Sequence, residues 1–220
     1  MPALRKVQIQ IDFGFPLHDV PLGLAPLAST KKSKRTGAFT DNMSLPVHRW
    51  FRYSAGFSAE WVEQLITKHN LGAGDVLFDP FAGSGTTMLA AQAKGINAMG
   101  AETHYFVRRI ANTKLLWNRA DEHTFLALCE GVLRSAALRE RTQAAPASEL
   151  LQKCYQPETL RRLTALRDAY KESYSEYGVQ SELIWLAITA ILRECSGVGT
   201  AQWQYVLPKK KKARDRKSVV

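Results

Sequence analysis

The spacing of apolar residues between positions 58 and 79 predicts a helix followed by a short strand. Ser58 precedes an acidic residue and an apolar face at helical spacing, which is typical of an N-cap and the first turns of a helix. Glycines 72 and 74 end this helix, and the run 75–79 that follows is short, apolar and bounded by glycine and proline. Such a run predicts a buried strand. The predicted helical face consists of Trp61, Val62, Leu65, Ile66 and His69.

The segment that follows again has apolar residues at helical spacing and short apolar runs typical of strands. A glycine-rich loop at 80–86 leads into a helical segment at 86–94, which has an alanine-rich face and Gly95 as its predicted C-cap. A second strand is predicted at 96–101 and a further helix at 104–118. This order is a βαβα unit, and we expect its strands to be parallel and joined by a right-handed crossover. The predicted fold class is therefore α/β.

The segments on either side of this unit have a different pattern. Residues 1–45 are predicted to be an irregular arm with several prolines, and they contain one short alternating run at 7–11 that favours a strand. Residues 119–200 have helical spacing almost throughout, and Pro157 suits the first position of a helix. The helix predicted at 182–194 is apolar on nearly every side, so we expect other elements to cover most of it.

Basic residues outnumber acidic ones by 30 to 20, and the excess is concentrated in two places. The basic tail, 201–220, includes a run at 203–207 that favours an extended chain, and its part 209–217 carries seven basic residues against Asp215. Four more basic residues lie at 31–35. Runs of this kind favour polyanions, most often nucleic acid; a solvated surface without a partner is the alternative.

The cysteines and the apolar runs indicate the cellular compartment in which the protein is expected to lie. Cys129, Cys154 and Cys195 are odd in number and form no CxxC pair, so we expect free thiols in a reducing environment. No apolar run approaches the roughly 18 residues of a membrane span, and prolines interrupt the apolar stretch at 20–28, unlike a signal peptide. These features predict a soluble, cytoplasmic protein.

The glycine-rich loop resembles a nucleotide-binding loop but departs from the two commonest types. A P-loop requires a lysine after its last glycine, whereas Gly85 is followed by Thr86. A dinucleotide fingerprint requires a third glycine or alanine, and Met88 occupies that position. Nucleoside triphosphates are therefore disfavoured, and the match to a dinucleotide site is partial.

Two carboxylates at the predicted strand ends favour a cationic ligand. Asp79 ends the first strand, where a negative charge would repel a pyrophosphate and attract a cation. Glu102 follows the second strand, where its oxygens could accept hydrogen bonds from both ribose hydroxyls. S-adenosylmethionine carries an ammonium and a sulfonium but no phosphate, so it suits both acids. The alternative is that Asp79 caps the following turn and Glu102 is a solvated strand end.

The run Asp79–Thr87, with its sequence Asp-Pro-Phe-Ala-Gly-Ser-Gly-Thr-Thr, resembles motif I of the DNA amino-methyltransferases. These enzymes methylate the exocyclic nitrogen of adenine or cytosine. The segment 46–58 resembles motif X of the same family, and Glu102 matches its ribose-binding acid. The resemblance implies a partial Rossmann-like class I methyltransferase fold, with a cofactor-binding core at 46–118 and a mostly helical C-terminal segment.

The resemblance also implies a set of residues that contact S-adenosylmethionine. They are the members of the glycine loop, the ribose-binding acid, and two residues that would close over the methionine end of the cofactor. The alternative for Phe81 is a core aromatic residue. The alternative for Phe57 and Ser58 is an ordinary helix cap with a hydrophobic neighbour. The candidates are Asp79, Pro80, Phe81, Ala82, Gly83, Ser84, Gly85, Thr86, Thr87, Glu102, Phe57 and Ser58.

The family's catalytic motif is absent from the sequence. That motif places an acid, asparagine or serine before Pro-Pro and an aromatic residue, and no two prolines are adjacent here. We interpret the chain as the cofactor-binding half of a truncated or split DNA methyltransferase, with another segment or a second polypeptide supplying the motif. A catalytically inactive module that binds cofactor or nucleic acid, or an RNA methyltransferase of the same architecture, are the alternatives.

DNA is the partner that this interpretation implies. The two basic stretches, and Arg161, Arg162 and Arg167 on one helix face, could contact DNA phosphates; solvated arginines are the alternative. The histidines are scattered without metal-ligand spacing, so we assign no metal site and no catalytic residue.

Overall fold

The computed structural model describes residues 38–174 and 178–197, which form two compact units. The described part of the first unit comprises residues 38–49 and 53–115, and the second comprises 50–52 with the described residues from 116 onwards. The predictions of a strand at 7–11, a basic stretch at 31–35, an extended run at 203–207 and a basic tail lie outside the described residues.

Helices dominate both units, and the strands belong to the first unit. The first unit contains α1 (Ala59–Lys68), β1 (Val76–Asp79), α2 (Thr86–Ala93), β2 (Asn97–Gly100) and α3 (Tyr105–Leu115). The second contains α4 (Glu122–Glu140), α5 (Glu149–Cys154), α6 (Pro157–Ser173) and α7 (Val179–Cys195). Short 3₁₀ helices lie at Phe39–Ser44, His48–Trp50 and Trp117–Arg119. The mixed helix and strand composition agrees with the coarser part of the fold-class prediction.

The strands β1 and β2 pair in parallel, as the βαβ pattern predicts. Their register runs from Val76 opposite Asn97 to Asp79 opposite Gly100, and α2 connects them. Ser58 caps α1 as predicted, since its hydroxyl accepts a hydrogen bond from the Trp61 N–H at 3.2 Å. Gly95 follows α2 with a φ of +68°, the left-handed conformation expected beyond a helix C-terminus.

One face of the two-stranded sheet packs against helices, and the other face is open to solvent. Leu77 and Ala98 pack against a buried cluster from α1 and α2, which is formed by Val62, Ile66, Ala90, Ala91 and Ile96. On the opposite face of β1, Val76 is 56% exposed and Phe78 is 53% exposed. The prediction of a buried strand is therefore wrong: Val76 and Phe78 are exposed, and Leu77 and Asp79 are only partly buried, because α1 and α2 cover only the face that carries Leu77.

Buried polar groups connect the short 3₁₀ helix at 39–44 to the rest of the first unit. The Asn42 amide donates to the Phe57 carbonyl at 2.9 Å, and its oxygen accepts from the Ala59 N–H at 2.7 Å. Asn42 and Phe39 are both buried. Residues 39–44 are thus ordered in this structure, although the sequence pattern places them in an irregular arm.

The second unit has its own core, in which α4, α6 and α7 meet. Val132, Ala136, Ala169, Tyr170 and Ile184 form this core. Pro157 occupies the first turn of α6, as predicted. Residues 182–184 and 186 of α7 are buried, whereas Ile191 is 40% exposed, so the expected cover extends over only part of this helix.

The arginines of α6 are engaged with acidic side chains. Arg161 and Arg162 both pair with Glu140 of α4, and Arg167 pairs with its neighbour Asp168. These pairs favour the alternative of a solvated, charge-balanced surface over a row of arginines that binds phosphates.

The structure tests the expectations of free thiols and of no membrane-spanning segment. Cys129, Cys154 and Cys195 are free thiols, as predicted. None of the helices in the described residues is both long and apolar enough to cross a membrane.

Gly100 ends β2 in a crowded position, which generates the first prediction. A Cβ at residue 100 would lie 2.7 Å from the Ala82 Cβ and 3.0 Å from the Met88 Cε. We expect Gly100→Ala to lower the free energy of unfolding by about 1–3 kcal/mol, because the backbone carrying Ala82 must shift. Urea unfolding followed by circular dichroism measures this change.

Gly131→Ala is the matched control, since no atom lies within 4 Å of the added Cβ in α4. We expect it to raise the stability by about 0.5–1 kcal/mol through helix propensity. An unchanged unfolding free energy in Gly100→Ala would contradict the crowding at the end of β2.

Lys114 generates a prediction about pH. Its side chain is fully buried, and its Nζ donates to the His48 carbonyl at 3.0 Å. Burial lowers the pKa of Lys114 from 10.5 to about 7, and burial together with the Lys114 charge lowers the pKa of His48 to about 4. The folded protein therefore binds the Lys114 proton more weakly than the unfolded chain does. We expect the free energy of unfolding to rise from about pH 7 to about pH 10.

Lys114→Met should flatten this rise, and urea unfolding at several pH values measures the slope. The substitution also removes the hydrogen bond to the His48 carbonyl, so the stability at one pH is not the readout. Lys68→Met, at an exposed lysine in the last turn of α1, should leave the slope as it is. A Lys114→Met protein that keeps the wild-type slope would contradict the assignment.

Candidate functional site

The site lies where the two parallel strands end and their loops meet. The Ala101 N–H donates to the Asp79 carbonyl at 2.9 Å, and the Ala82 N–H donates to the Ala101 carbonyl at 2.9 Å. These backbone hydrogen bonds continue the pairing beyond the strands. They bring the glycine loop after β1 beside Glu102, which follows β2. Ligands of parallel α/β sheets bind at this end of the strands.

Asp79 holds the glycine loop in its conformation. One carboxylate oxygen accepts from the Phe81 N–H at 2.9 Å, and the other accepts from the Thr87 hydroxyl at 2.5 Å. The carboxylate thus connects the end of β1 to the loop and to the first turn of α2. This arrangement corresponds to the alternative in which Asp79 caps the following turn.

Glu102 is fixed from two directions by backbone donors. Its Oε2 accepts from the Gly83 N–H at 3.1 Å, and its Oε1 accepts from the His104 N–H at 2.8 Å. The side chain therefore has one orientation relative to the loop. Each carboxylate oxygen has a second lone pair that remains available for another donor.

Two glycines in the loop adopt left-handed backbone conformations next to packed groups. Gly83 has a φ of +51°, and a Cβ there would lie 3.0 Å from the ring of Tyr53. Gly85 has a φ of +88° at the N-cap of α2, and a Cβ there would lie 3.1 Å from the Ala111 Cβ. Side chains at these positions would be strained and would also displace their neighbours.

These elements enclose a cleft of about 220 Å³ beside the loop. Its lining is mostly aromatic, small and backbone surface, and the only acidic or basic side chain of the lining, as far as the structure describes it, is the Glu102 carboxylate. The Ser84 hydroxyl is buried and has no hydrogen-bond partner among the described residues. The lining residues are Tyr53, Ala55, Gly56, Phe57, Phe81, Ala82, Gly83, Ser84, Thr86 and Glu102.

Glu102 also affects the ionisation of Tyr53. Burial raises the pKa of the Tyr53 hydroxyl, and the negative charge of Glu102 raises it further. Tyr53 therefore stays protonated at neutral pH and can donate a hydrogen bond. The cleft is lined by one carboxylate, three residues with hydroxyl groups (Tyr53, Ser84 and Thr86) and aromatic faces, which suits a ligand with hydroxyl groups, an apolar ring and a positive charge.

Most of the candidates from the sequence line the cleft, and the others, except Pro80, hold the loop or cap a helix beside it. Phe57, Phe81, Ala82, Gly83, Ser84, Thr86 and Glu102 belong to the lining. Ser58 caps α1, Asp79 and Thr87 hold the loop, and Gly85 forms the N-cap of α2. Pro80 lies in the loop at an exposed position, outside the lining.

Three lining residues were missed when the site was predicted from the sequence. Tyr53, Ala55 and Gly56 all lie in the segment 46–58, whose last two residues alone were singled out. An aromatic residue followed by small residues is a signal that could have identified them, because small residues leave room for a ligand beside a ring.

No metal centre is indicated in the described part of the chain. The search over residues 38–174 and 178–197 finds no group of three or more His, Cys, Asp or Glu side chains that could hold an ion.

Comparison with known proteins identifies relatives of the segment that builds this site. A type II methyltransferase of Geobacillus stearothermophilus, M.BsoBI, is 41% identical over 70 residues, which are 32% of this chain and 14% of that protein. The type II methyltransferase M.AvaI of Nostoc is 34% identical over 99 residues, or 44% of this chain and 20% of the relative. M.MjaII of Methanocaldococcus jannaschii, also a type II methyltransferase, is 38% identical over 69 residues, which are 31% of this chain and 13% of that relative.

The matched segments therefore span between 13% and 20% of the relatives' own lengths. No solved structure matches the chain. A family profile described as DNA methylase, of the N6/N4 methyltransferase type, matches residues 26–113. This matched segment contains both strands, the glycine loop and Glu102, so the part of the chain that builds the site is similar to the N6/N4 DNA methylase family.

Proposed function

We propose that this chain provides the S-adenosylmethionine-binding part of a DNA methyltransferase that modifies the exocyclic amine of adenine or cytosine. In this proposal the two strands and their helices belong to a Rossmann-like class I sheet. The observation that carries the proposal is the Glu102 carboxylate, which two backbone N–H groups orient towards a cleft lined by no lysine or arginine among the described residues.

The charge of the cleft discriminates between ligand classes. A carboxylate without a neighbouring cation repels phosphate esters, and the glycine loop lacks the lysine of a P-loop. The same carboxylate attracts a cationic ligand and accepts hydrogen bonds from ribose hydroxyls. S-adenosylmethionine meets both conditions, whereas ATP and NAD carry phosphates that would face Glu102.

Several groups of the cleft fit the proposed cofactor. Glu102 would accept the ribose hydroxyls, and the buried Ser84 hydroxyl, which has no partner among the described residues, would bond to a polar atom of the ligand. Phe57 and Phe81 offer apolar surface; Phe81 is 84% exposed, so a ligand would cover it. When bound, S-adenosylmethionine supplies an activated methyl group. Asp79 and Thr87 would affect cofactor binding mainly because they fix the conformation of the glycine loop.

The transfer step requires groups that this chain does not contain. A base amine must be held by an acceptor so that its lone pair faces the methyl group, and the family's Pro-Pro motif is absent from the sequence. We therefore propose that another segment or a second polypeptide supplies that motif, and that the 220 residues alone bind the cofactor without transferring methyl groups. DNA is the proposed substrate, and the basic stretches at 31–35 and 209–217 are proposed to contact its phosphates.

The missing motif also favours a second candidate function. A chain that retains the cofactor cleft but lacks the amine acceptor is suited to a catalytically inactive module that binds cofactor or nucleic acid. An RNA methyltransferase of the same architecture would share the glycine loop. The relatives carry the name type II methyltransferase and the family profile is described as DNA methylase, which supports the DNA assignment.

Glu102→Gln tests the cofactor site. Glutamine keeps the size of the side chain but removes the negative charge and one acceptor oxygen. We expect its affinity for S-adenosylhomocysteine to fall about 10- to 100-fold, because a charged acceptor of two ribose hydroxyls is lost. Isothermal titration calorimetry of the 220-residue chain measures the affinity.

Glu130→Gln, at an exposed glutamate of α4 in the second unit, is the control and should bind as the wild type does. ATP and NAD should give no heat with any of these proteins. Equal affinities of the wild type and Glu102→Gln for S-adenosylhomocysteine, or tight binding of ATP, would exclude the proposed site.

Asp79→Asn tests whether the charge of Asp79 contributes beyond holding the loop. S-adenosylmethionine carries a sulfonium charge that S-adenosylhomocysteine lacks. We expect Asp79→Asn to weaken the binding of S-adenosylmethionine several-fold more than that of S-adenosylhomocysteine, since an attraction between opposite charges is removed. Calorimetric titrations with both ligands give this ratio.

Thr87→Val is the matched variant, because it removes the hydroxyl that donates to Asp79 but keeps the carboxylate. It should weaken the binding of S-adenosylmethionine and S-adenosylhomocysteine to the same extent. If Asp79→Asn also affects both ligands equally, Asp79 acts through the loop conformation alone and its charge does not attract the sulfonium.

A further inference from the structure

One wall of the cleft is held in place by groups that do not themselves line the cleft. This wall is the segment 53–57, which contributes Tyr53, Ala55, Gly56 and Phe57 to the lining. The structure describes all five residues of the wall, and none of them belongs to a helix or a strand. The position of the wall therefore depends on the groups that pack against it.

The 3₁₀ helix at Phe39–Ser44 packs against this wall. The Phe39 N–H donates to the Gly56 carbonyl at 3.0 Å. The buried Phe39 ring lies so close to Gly56 that a Cβ at residue 56 would be 2.8 Å from the ring Cδ2. Asn42 holds the next residue of the wall, because its amide donates to the Phe57 carbonyl at 2.9 Å. The ring and the amide thus fix two adjacent residues of the cleft lining.

Lys114, in the last turn of α3, packs in turn against the Phe39 ring. Its Nζ lies 5.6 Å from the ring centroid, within the range of a cation–π interaction, and donates to the His48 carbonyl at 3.0 Å. The side chain is fully buried. Burying an ammonium group costs free energy that a methionine of similar size would not cost. Packing alone therefore does not account for a lysine at this position.

Helix α3 connects this contact to the other side of the cleft. The helix begins at Tyr105, three residues after Glu102, and Lys114 lies near its other end. The Glu102 carboxylate faces the cleft from the loop before the helix. One rigid element thus follows the carboxylate and carries the lysine that supports the wall.

We propose that Lys114 is a positioning residue of the cofactor site. Through the Phe39 ring it holds the wall 53–57 at the distance from Glu102 at which the cleft binds S-adenosylmethionine. Lys114 is not part of the cleft lining, so it acts through Phe39 and Gly56 and not by contact with the ligand. This inference rests on the proposed function, because affinity for the cofactor is one of its two readouts.

Lys114→Met in the full 220-residue chain tests the inference. We expect its affinity for S-adenosylhomocysteine to fall about 3- to 10-fold, because the apparent affinity falls with the fraction of molecules whose wall is in place. Hydrogen exchange without ligand is the second readout. The Phe39 and Gly56 amides should exchange at least about tenfold faster, since the wall opens locally. Calorimetry and mass spectrometry of peptides measure the two effects.

Two comparisons distinguish positioning from a loss of overall stability. The amides of α2, in the same unit, should change much less than those of the wall, and an equal acceleration in α2 would overturn the inference. Lys68→Met removes an exposed lysine from the last turn of α1 and should leave both readouts unchanged. The inference is also overturned if folded Lys114→Met binds the ligand as the wild type does.

Gly56→Ala tests the contact with Phe39 and keeps the inference testable if Lys114→Met fails to fold. The added methyl group should displace the wall and weaken the binding of S-adenosylhomocysteine about 3- to 10-fold. Phe39→Leu removes the ring that the methyl group would meet. The two substitutions together should therefore weaken binding less than the product of their separate effects. Multiplicative effects would show that the ring does not set the position of Gly56 and would overturn the inference.

The outcomes separate this inference from the proposed function. If the wild type binds S-adenosylhomocysteine and Lys114→Met binds it equally well, the proposed function stands and the positioning role is rejected. If the wild type does not bind this ligand, the proposed function is rejected, and the exchange of the Phe39 and Gly56 amides decides whether Lys114 holds the wall.

Discussion

The hydrogen bonds between the Glu102 carboxylate and the backbone N–H groups of Gly83 and His104 are the interaction on which the site depends. They join the loop after β1 to the loop after β2, so the position of each loop sets that of the other. A carboxylate that accepts two backbone hydrogen bonds keeps a fixed orientation without a neighbouring cation. The charge of Glu102 therefore remains available to a ligand and is not neutralised by a lysine or arginine of the lining.

The parallel pairing of the strands makes this interaction possible. Both strands end at the same edge, and the backbone hydrogen bonds of Ala101 and Ala82 extend the pairing into the loops. Asp79 then fixes the first loop through Phe81 and Thr87. The two acids thus have separate tasks: Asp79 shapes the loop, and Glu102 faces the cleft.

The sequence predicted the βαβα order, the parallel pairing, the Ser58 cap and the position of Glu102, because each depends on local spacing or on a short motif. It did not predict the exposure of Val76 and Phe78, since an apolar run is the same whether one face or both are covered. It also missed Tyr53, whose place in the cleft depends on packing against a loop distant along the chain. The burial of Lys114 was not predictable either, because long basic side chains are seldom fully enclosed.

The contact between Tyr53 and Gly83 has a consequence for how the cleft can change in evolution. The ring lies where a side chain at position 83 would have to go, and the glycine provides the N–H that orients Glu102. A smaller residue at position 53 would remove the contact but would not admit a side chain at position 83, because the φ of +51° there still strains any residue with a Cβ. We therefore expect glycine to persist at position 83 in homologous sequences even where position 53 varies.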